Sequence, residues 1–192
     1  MPNKTIAVDI DDTLNDFTRT LLTTRFSHDG AYPFSEQVFA GYLERVRAGE
    51  GERSDLLSTE YSFFRYRIHQ RCYELARARP DGVEFMRWLR SSGWRIIICT
   101  SRDLRRAGAC TRSWLGDNGI PFDHLFMAWN KIVFCRAWGI AHLVDDEEFN
   151  IEHGAAHGVS VYYPAGEGRG PGAPGGARAF ADFGEVRQWI GE

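Results

Sequence analysis

The sequence predicts an α/β protein whose core is a Rossmann-like, doubly wound parallel sheet, with a small helical cap inserted after the first strand. Short apolar runs of strand length recur along the chain, and amphipathic segments of helical length separate them. Strands that alternate with helices in this way favour parallel βαβ units. The run from Trp94 to Cys99 is almost continuously apolar, which is typical of a strand buried on both faces.

The core elements follow in chain order. Apolar runs predict five strands: Ile6 to Val8, Trp94 to Cys99, His124 to Ala128, Ala141 to Val144 and Val159 to Tyr163. Helical periodicity predicts helices at Val83 to Leu89, Leu104 to Leu115, Lys131 to Trp138 and Phe149 to His157, and a terminal helix capped by Asp182. Glycines that end helices mark the boundaries, as at Gly93 and Gly139.

Residues 15 to 79 have a different character, because they are aromatic and helical and show no strand pattern. Three helices are predicted there: one carrying Phe17, Leu21, Leu22 and Phe26, one at Ser35 to Val46, and one at Thr59 to Arg77. The predicted organisation is therefore a core of residues 1–14 and 80–192 with a cap of residues 15–79. A Gly- and Pro-rich stretch from Ala165 to Ala177 is predicted to be a mobile loop.

Composition limits the classes of function. The chain has 192 residues and a net charge of −3, which gives no argument for a nucleic-acid polymer or a membrane surface as partner. It has no N-terminal signal-like segment and no apolar stretch long enough to span a bilayer. Its four cysteines are widely spaced and indicate neither a zinc site nor a disulfide framework. We therefore expect a cytoplasmic protein with reduced thiols.

Three carboxylates, Asp9, Asp11 and Asp12, follow the first strand within four positions. Aspartate is unfavourable in strands, so the group belongs in the loop just past the strand end. Alternate residues of an extended chain point the same way, so Asp9 and Asp11 are able to converge on one point. Their charges repel unless a cation or a shared proton relieves them, and a divalent metal ion is the simpler explanation.

Two later strands also end in polar groups. Thr100 and Ser101 follow the strand at 94–99, and Asp145 and Asp146 follow the strand at 141–144. Open parallel sheets place their sites at the carboxyl ends of the strands, so these residues should gather with Asp9 along one edge. Lys131 opens the helix that leads into the last of these strands.

These four stretches resemble the four motifs of the haloacid dehalogenase (HAD) superfamily in their order along residues 6 to 146. The resemblance implies that Asp9 is a nucleophile that forms an aspartyl-phosphate, and that Asp11 is its general acid and base. It implies Mg²⁺ as cofactor, held by Asp9, the backbone carbonyl of Asp11, and Asp145. Asp146 is either an alternative ligand or a group that supports the ligands.

The resemblance also implies roles for the remaining candidates. Thr100 and Ser101 would bind phosphate oxygens, and Lys131 would offset negative charge. Arg102 is a further candidate for substrate or phosphate binding. Taken alone, Thr100 is also explained as a strand-end turn residue, and Lys131 as a solvated helix end.

Within the superfamily, the chain is similar to the 5'(3')-deoxyribonucleotidase branch, which implies that Phe17 lines a base pocket and that a nucleoside monophosphate is the substrate. The chain has Asp12-Thr13 and Arg102 where that branch usually has Gly-Val and proline. The alternatives are a phosphatase acting on another small phosphorylated metabolite, phosphoryl transfer to an acceptor other than water, and a non-catalytic binding or regulatory protein. A homodimer is left open.

Overall fold

The structure is a computed structural model that describes residues 4–23, 68–166 and 176–191, together with positions 41, 44 and 48. These residues contain one sheet of six strands in the order β3-β2-β1-β4-β5-β6. The strands are β1 (Thr5–Val8), β2 (Arg95–Thr100), β3 (His124–Met127), β4 (His142–Val144), β5 (Ser160–Pro164) and β6 (Arg178–Phe180). All five pairings are parallel, so the predicted α/β fold with a parallel, doubly wound sheet is confirmed.

Seven helices lie in the described part of the chain. They are α1 (Phe17–Thr23), α2 (His69–Leu75), α3 (Pro80–Ser91), α4 (Leu104–Asp117), α5 (Lys131–Trp138), α6 (Glu148–His153) and α7 (Phe183–Gly191). None of them is long and apolar enough to cross a bilayer. The four cysteines are free thiols, and three of them are buried.

The sheet is covered on both faces because successive residues of each buried strand point to opposite sides. Ile6 and Val8 of β1 pack in one core cluster with residues of α3, α4 and α7. Ala7, between them, packs in a second cluster with residues of α5 and α6. The continuous apolar runs of the sequence thus serve two cores at once.

Two elements differ from the sequence-based prediction. The helix expected at Phe149 to His157 ends at His153, and a 3₁₀ turn follows at Ala155–His157. Strand β6 was not predicted, because three residues at a sheet edge are too few to show a periodic pattern. Residues 167–175 of the predicted mobile loop lie outside the described residues.

The two ends of the predicted cap run side by side. Asn15 forms an isolated antiparallel bridge with Ala78, and the Arg79 amide donates to the Leu14 carbonyl at 2.8 Å. The chain therefore leaves the core and returns to it at adjacent points. Of the predicted helix at Ser35 to Val46 only positions 41 and 44 are described, and residues 59–67 of the one at Thr59 to Arg77 lie outside the described residues, so the cap stays a prediction.

Gly154 gives a test of the packing behind α6. A Cβ atom built there would lie 2.3 Å from Val161 Cγ2 and 2.9 Å from the Val159 carbonyl oxygen, which is backbone and yields little. We expect Gly154→Ala to lower the free energy of unfolding by about 1–3 kcal/mol in urea denaturation, because it overpacks this contact. The matched control is Gly116→Ala in α4, where a Cβ meets nothing within 4 Å. That change should stabilise the helix by about 0.5–1 kcal/mol, and an equal effect of both substitutions would contradict the packing argument.

Candidate active site

The carboxyl ends of three neighbouring strands bring the candidate residues together. Strand β1 lies between β2 and β4, with Val8 in register with both Ile98 and Val144. Asp9 follows β1, Thr100 ends β2 and Asp145 follows β4. The amide of Asp9 donates to the Val144 carbonyl at 2.9 Å, which extends the β1–β4 pairing to the site itself.

Lys131 is buried among these strand ends. Its Nζ lies 2.8 Å from Asp145 Oδ1 and 3.1 Å from Asp9 Oδ1, and the side chain is 2% exposed. Helix α5 starts at this lysine because the Asn130 side chain caps it, accepting from the Val133 amide at 2.9 Å. Burial by itself would lower the pKa of Lys131, but Asp145 and Asp9 outweigh burial and raise it well above its ordinary value. The ammonium group is therefore a fixed positive charge.

Asp145 is fully buried and held from both sides. Its Oδ1 accepts from Lys131, and its Oδ2 accepts from Asn150 Nδ2 at 2.7 Å. Asn150 also donates to Glu147 Oε2 at 3.1 Å, so it fixes the loop between β4 and α6. Asp145 is thereby fixed in one orientation facing Asp9.

Three carboxylates form an acidic cluster at this point. One oxygen from each of Asp9, Asp145 and Asp146 lies within 4.8 Å of the other two. Desolvation, together with the neighbouring carboxylates, raises the pKa of Asp9 to about 7 even though Lys131 opposes the shift. Burial likewise raises the pKa of Asp146 well above its ordinary value, and Asp9 and Asp145 add to that effect. The single lysine does not balance the negative charge gathered here.

The acidic cluster fits a divalent cation. Asp9 Oδ1 is buried and accepts no hydrogen bond within the described residues, since its contact with Lys131 is an ion pair without hydrogen-bond geometry. Hard divalent cations take carboxylate oxygens as ligands, and a cation here would relieve the crowding that raises the pKa of Asp9 and Asp146. Asp146 also accepts from the buried Thr13 hydroxyl at 3.2 Å, which orients it toward the cluster.

The side chain of Asp11 points away from the acidic cluster. Its two oxygens accept from Arg102, with Nη2 at 2.6 Å from Oδ1 and Nε at 2.8 Å from Oδ2. Asn15 Nδ2 donates to Oδ1 at 3.2 Å. The Asp11 side chain is one-fifth exposed, in contrast to the fully buried Asp145.

Thr100 and Ser101 differ in their burial. Thr100 is fully buried at the end of β2, and its Oγ1 accepts from the Arg102 amide at 3.2 Å. A hydroxyl that accepts a hydrogen bond keeps its own proton to donate, so Thr100 is able to donate to a ligand oxygen. Ser101 is exposed.

Phe17 lies in an aromatic group beside Asp11. Its ring stacks on Tyr73, with centroids 5.3 Å apart, and meets the edge of His69 at the same distance. These residues come from α1 and α2, the described helices of the predicted cap. Phe17 itself is partly exposed.

Asp12 shapes the loop that carries Asp11. Its backbone is left-handed, with φ of 55°, a conformation that glycine adopts freely and aspartate tolerates. Its carboxylate accepts from the amide and the hydroxyl of Thr18 and so caps the start of α1. Burial raises the pKa of Asp12. The residue thus belongs to the loop's structure and not to the acidic cluster.

Sequence reasoning did not assign roles to Asn15, Thr111 or Tyr73, which all contact the site. Asn15 accepts from the amides of Asp12 and Phe17 while it donates to Asp11. These partners lie within four positions of Asn15, so the local sequence is the signal that could have indicated its role. Thr111 and Tyr73 contact Arg102 from distant parts of the chain. Nothing in their own surroundings in the sequence marks them.

The fold has clear relatives among solved structures. A protein described as a HAD-hydrolase from Bacillus subtilis, bound to magnesium, has a TM-score of 0.63 at 15% identity, with all of both chains covered. A HAD family hydrolase from Deinococcus radiodurans R1, with bound phosphate and sodium, has a TM-score of 0.56 at 17% identity, over 98% of this chain and 95% of that one. A D,D-heptose 1,7-bisphosphate phosphatase from B. bronchiseptica, complexed with magnesium and phosphate, has a TM-score of 0.52 at 15% identity, over 97% of each chain.

These likenesses show that the chain has the haloacid dehalogenase-like fold. No protein-family model matches the sequence, and the search of curated proteins gave no match. The fold agrees with the resemblance drawn from the four motifs.

The acidic cluster predicts a stabilising divalent cation. Magnesium or manganese chloride should raise the melting temperature relative to EDTA, because a ligand bound only to the folded state at 100 times its dissociation constant adds about 2.7 kcal/mol of stability. In Asp145→Asn the shift should be lost or strongly reduced. The control, Glu84→Gln, changes an exposed carboxylate on α3 and should keep the full shift. Equal shifts in both variants would rule out this cluster as the site.

Proposed function

We propose that the protein is a Mg²⁺-dependent phosphomonoester hydrolase that works through an aspartyl-phosphate on Asp9. The observation that carries this proposal is the convergence of Asp9, Lys131 and Asp145 at adjacent strand ends. The fold supports it, and so do two structural neighbours that contain phosphate. A buried carboxylate fixed beside an ammonium group is suited to nucleophilic catalysis.

The first step is attack by a carboxylate oxygen of Asp9 on phosphorus. A bond forms between that oxygen and phosphorus, and the bond between phosphorus and the ester oxygen breaks. Asp11, in its protonated form, gives its proton to the departing alkoxide, which leaves as an alcohol. Its partial exposure, unlike the burial of Asp9 and Asp145, supports this role.

The second step hydrolyses the aspartyl-phosphate. Asp11, now a carboxylate, takes a proton from a water molecule as that water attacks phosphorus. Inorganic phosphate leaves, Asp9 is restored as a carboxylate, and Asp11 is again protonated. The same residue serves as acid and then as base.

Other residues of the chain bind and neutralise the phosphoryl group. The Thr100 hydroxyl and Ser101 would donate to its oxygens, and Lys131 would hold Asp9 in place while offsetting negative charge. Asp9, Asp145 and the backbone carbonyl of Asp11, with Asp146 as a further oxygen donor, would hold Mg²⁺. When bound, that ion neutralises charge on the nucleophile and on the transferring group.

The nucleophile is tested by Asp9→Asn. We expect a loss of phosphatase activity of at least about a thousandfold, because the amide is a poor nucleophile. The variant should still fold, with a wild-type circular dichroism spectrum, because Asp145 continues to pair with the buried Lys131 at 2.8 Å. Glu84→Gln serves as the activity control. Wild-type turnover in Asp9→Asn would sink the mechanism.

For the substrate, we propose a nucleoside monophosphate of the kind hydrolysed by 5'(3')-deoxyribonucleotidases. The observation that favours it is the position of Phe17. Its ring stacks on Tyr73, and it lies two positions from Asn15, which donates a hydrogen bond to Asp11. A purine or pyrimidine would stack on Phe17 while its phosphate reaches Asp9.

This substrate class is tested with a panel of nucleoside monophosphates and sugar phosphates. The nucleotides should have the higher kcat/KM, and Phe17→Leu should lower it for them by about 5- to 150-fold, the range expected from base stacking worth about 1–3 kcal/mol. The sugar phosphates are the internal control and should change little. An equal loss for both classes, or a preference for sugar phosphates, would instead favour a phosphatase of another metabolite.

A further inference from the structure

Arg102 uses every nitrogen of its guanidinium group within the protein. Nε and Nη2 donate to the two oxygens of Asp11, at 2.8 and 2.6 Å. Nη1 donates to the Thr111 hydroxyl at 3.1 Å. A guanidinium that makes this forked contact with a carboxylate fixes the plane of that carboxylate as well as its position.

The surroundings of Arg102 allow it little movement. Its side chain is fully buried, and the ring of Tyr73 lies over the guanidinium carbon at 4.0 Å from the ring centroid. Burial disfavours the charge, but Asp11 outweighs burial and raises the pKa of Arg102. A desolvated cation of this kind is stable only while its partner stays in place, so Arg102 and Asp11 fix each other.

The anchors of Arg102 are themselves rigid. Thr111 is fully buried on α4, a helix that is tied to the segment after α2 by the Trp114 indole, which donates to the Ala76 carbonyl at 2.7 Å. On the other side, Asn15 holds Asp11 Oδ1. The Asp11 carboxylate is thus held between the core and the described helices of the predicted cap.

From this geometry we infer that Arg102 is a positioning residue that aims the Asp11 carboxylate for proton transfer, and that it does not bind the substrate phosphate. The inference rests on the proposed function, because it assigns Arg102 to the acid and base of that reaction. It departs from the sequence-based expectation of phosphate binding, since every guanidinium nitrogen of Arg102 already donates to a protein partner and the side chain is fully buried. Asp11 Oδ1 accepts from both Arg102 and Asn15, whereas Oδ2 accepts only from Arg102 and keeps a further lone pair for the transferred proton.

The leaving group of the ester distinguishes the two roles. An alkyl ester needs a proton on its departing oxygen, whereas a nitrophenyl ester leaves readily without one. The value of kcat/KM reports only the steps through formation of the aspartyl-phosphate, so it isolates this proton transfer. A residue that aims the acid should therefore matter more as the leaving group becomes more basic.

The experiment measures kcat/KM for alkyl and nitrophenyl phosphates with the wild type, Arg102→Lys and Arg102→Met. We expect losses on the order of 100-fold for the alkyl ester and below about 5-fold for the nitrophenyl ester, in line with the usual contribution of a general acid. The inhibition constant of inorganic phosphate should stay within about twofold of wild type, because the phosphate site is unchanged. Arg105→Met is the matched control, since that arginine is almost fully exposed at the start of α4, the helix that follows Arg102.

A milder variant guards against loss of folding. Thr111→Val removes only the hydroxyl that anchors Nη1 and keeps the shape of the side chain. It should show the same selective loss for the alkyl ester at about 3- to 10-fold, since a small misplacement of a catalytic group is costly. If the Arg102 variants do not fold, this variant decides the question.

Two results would overturn the inference while leaving the proposed function intact. One is an equal loss for both esters in the Arg102 and Thr111 variants. The other is a weaker inhibition by inorganic phosphate in Arg102→Lys, which would assign the arginine to phosphate binding. If the wild type hydrolyses neither ester, the proposed function fails, and the inference fails with it.

Discussion

The site depends on one interaction, the buried contact of Lys131 with Asp9 and Asp145. An ammonium group removed from water is stable only with full compensation, and here two carboxylates from adjacent strand ends supply it. This contact holds the ends of β1 and β4 and the start of α5 together at the proposed site. One lysine nevertheless faces three carboxylates, and burial, together with the neighbouring carboxylates, raises the pKa of Asp9 and Asp146. This arrangement is the basis on which we predict that the cluster binds a divalent cation.

The loop after β1 combines two tasks that are usually separate. Asp9 belongs to the acidic cluster, whereas Asp12 and Asn15 form the turn into α1 by accepting hydrogen bonds from backbone amides. Asn15 also pairs with Ala78, where the chain returns to the core. The orientation of Asp11 is therefore linked to the base of the predicted cap through one residue. A movement of α1 would be transmitted to Asp11 through the hydrogen bond from Asn15.

The sheet, and the gathering of Asp9, Thr100, Lys131 and Asp145, followed from local signals in the sequence. Each of these residues stands directly after an apolar run or at the start of a helix, and parallel strands bring their carboxyl ends to one edge. The partner of Asp11 left no such signal, because Arg102 is 91 positions away and the pairing depends on where α4 packs. The same reason hides Thr111 and Tyr73. Strand β6 was not predicted because it is too short: three edge residues do not show a periodic pattern.

The sequence departs from the deoxyribonucleotidase pattern at Asp12, Thr13 and Arg102; Thr13 donates to Asp146, and of the three only Arg102 pairs with the Asp11 side chain. Asp12 takes the left-handed conformation that a glycine would take, and its carboxylate adds a cap for α1. Arg102 stands where that pattern has proline, a residue whose side chain has no donor and so offers Asp11 no partner. Arg102 also contacts the aromatic group around Phe17, because the Tyr73 ring that stacks on Phe17 lies over its guanidinium carbon at 4.0 Å from the ring centroid. The departure at Arg102 therefore changes what holds the Asp11 carboxylate and also connects it, through Tyr73, to the aromatic group.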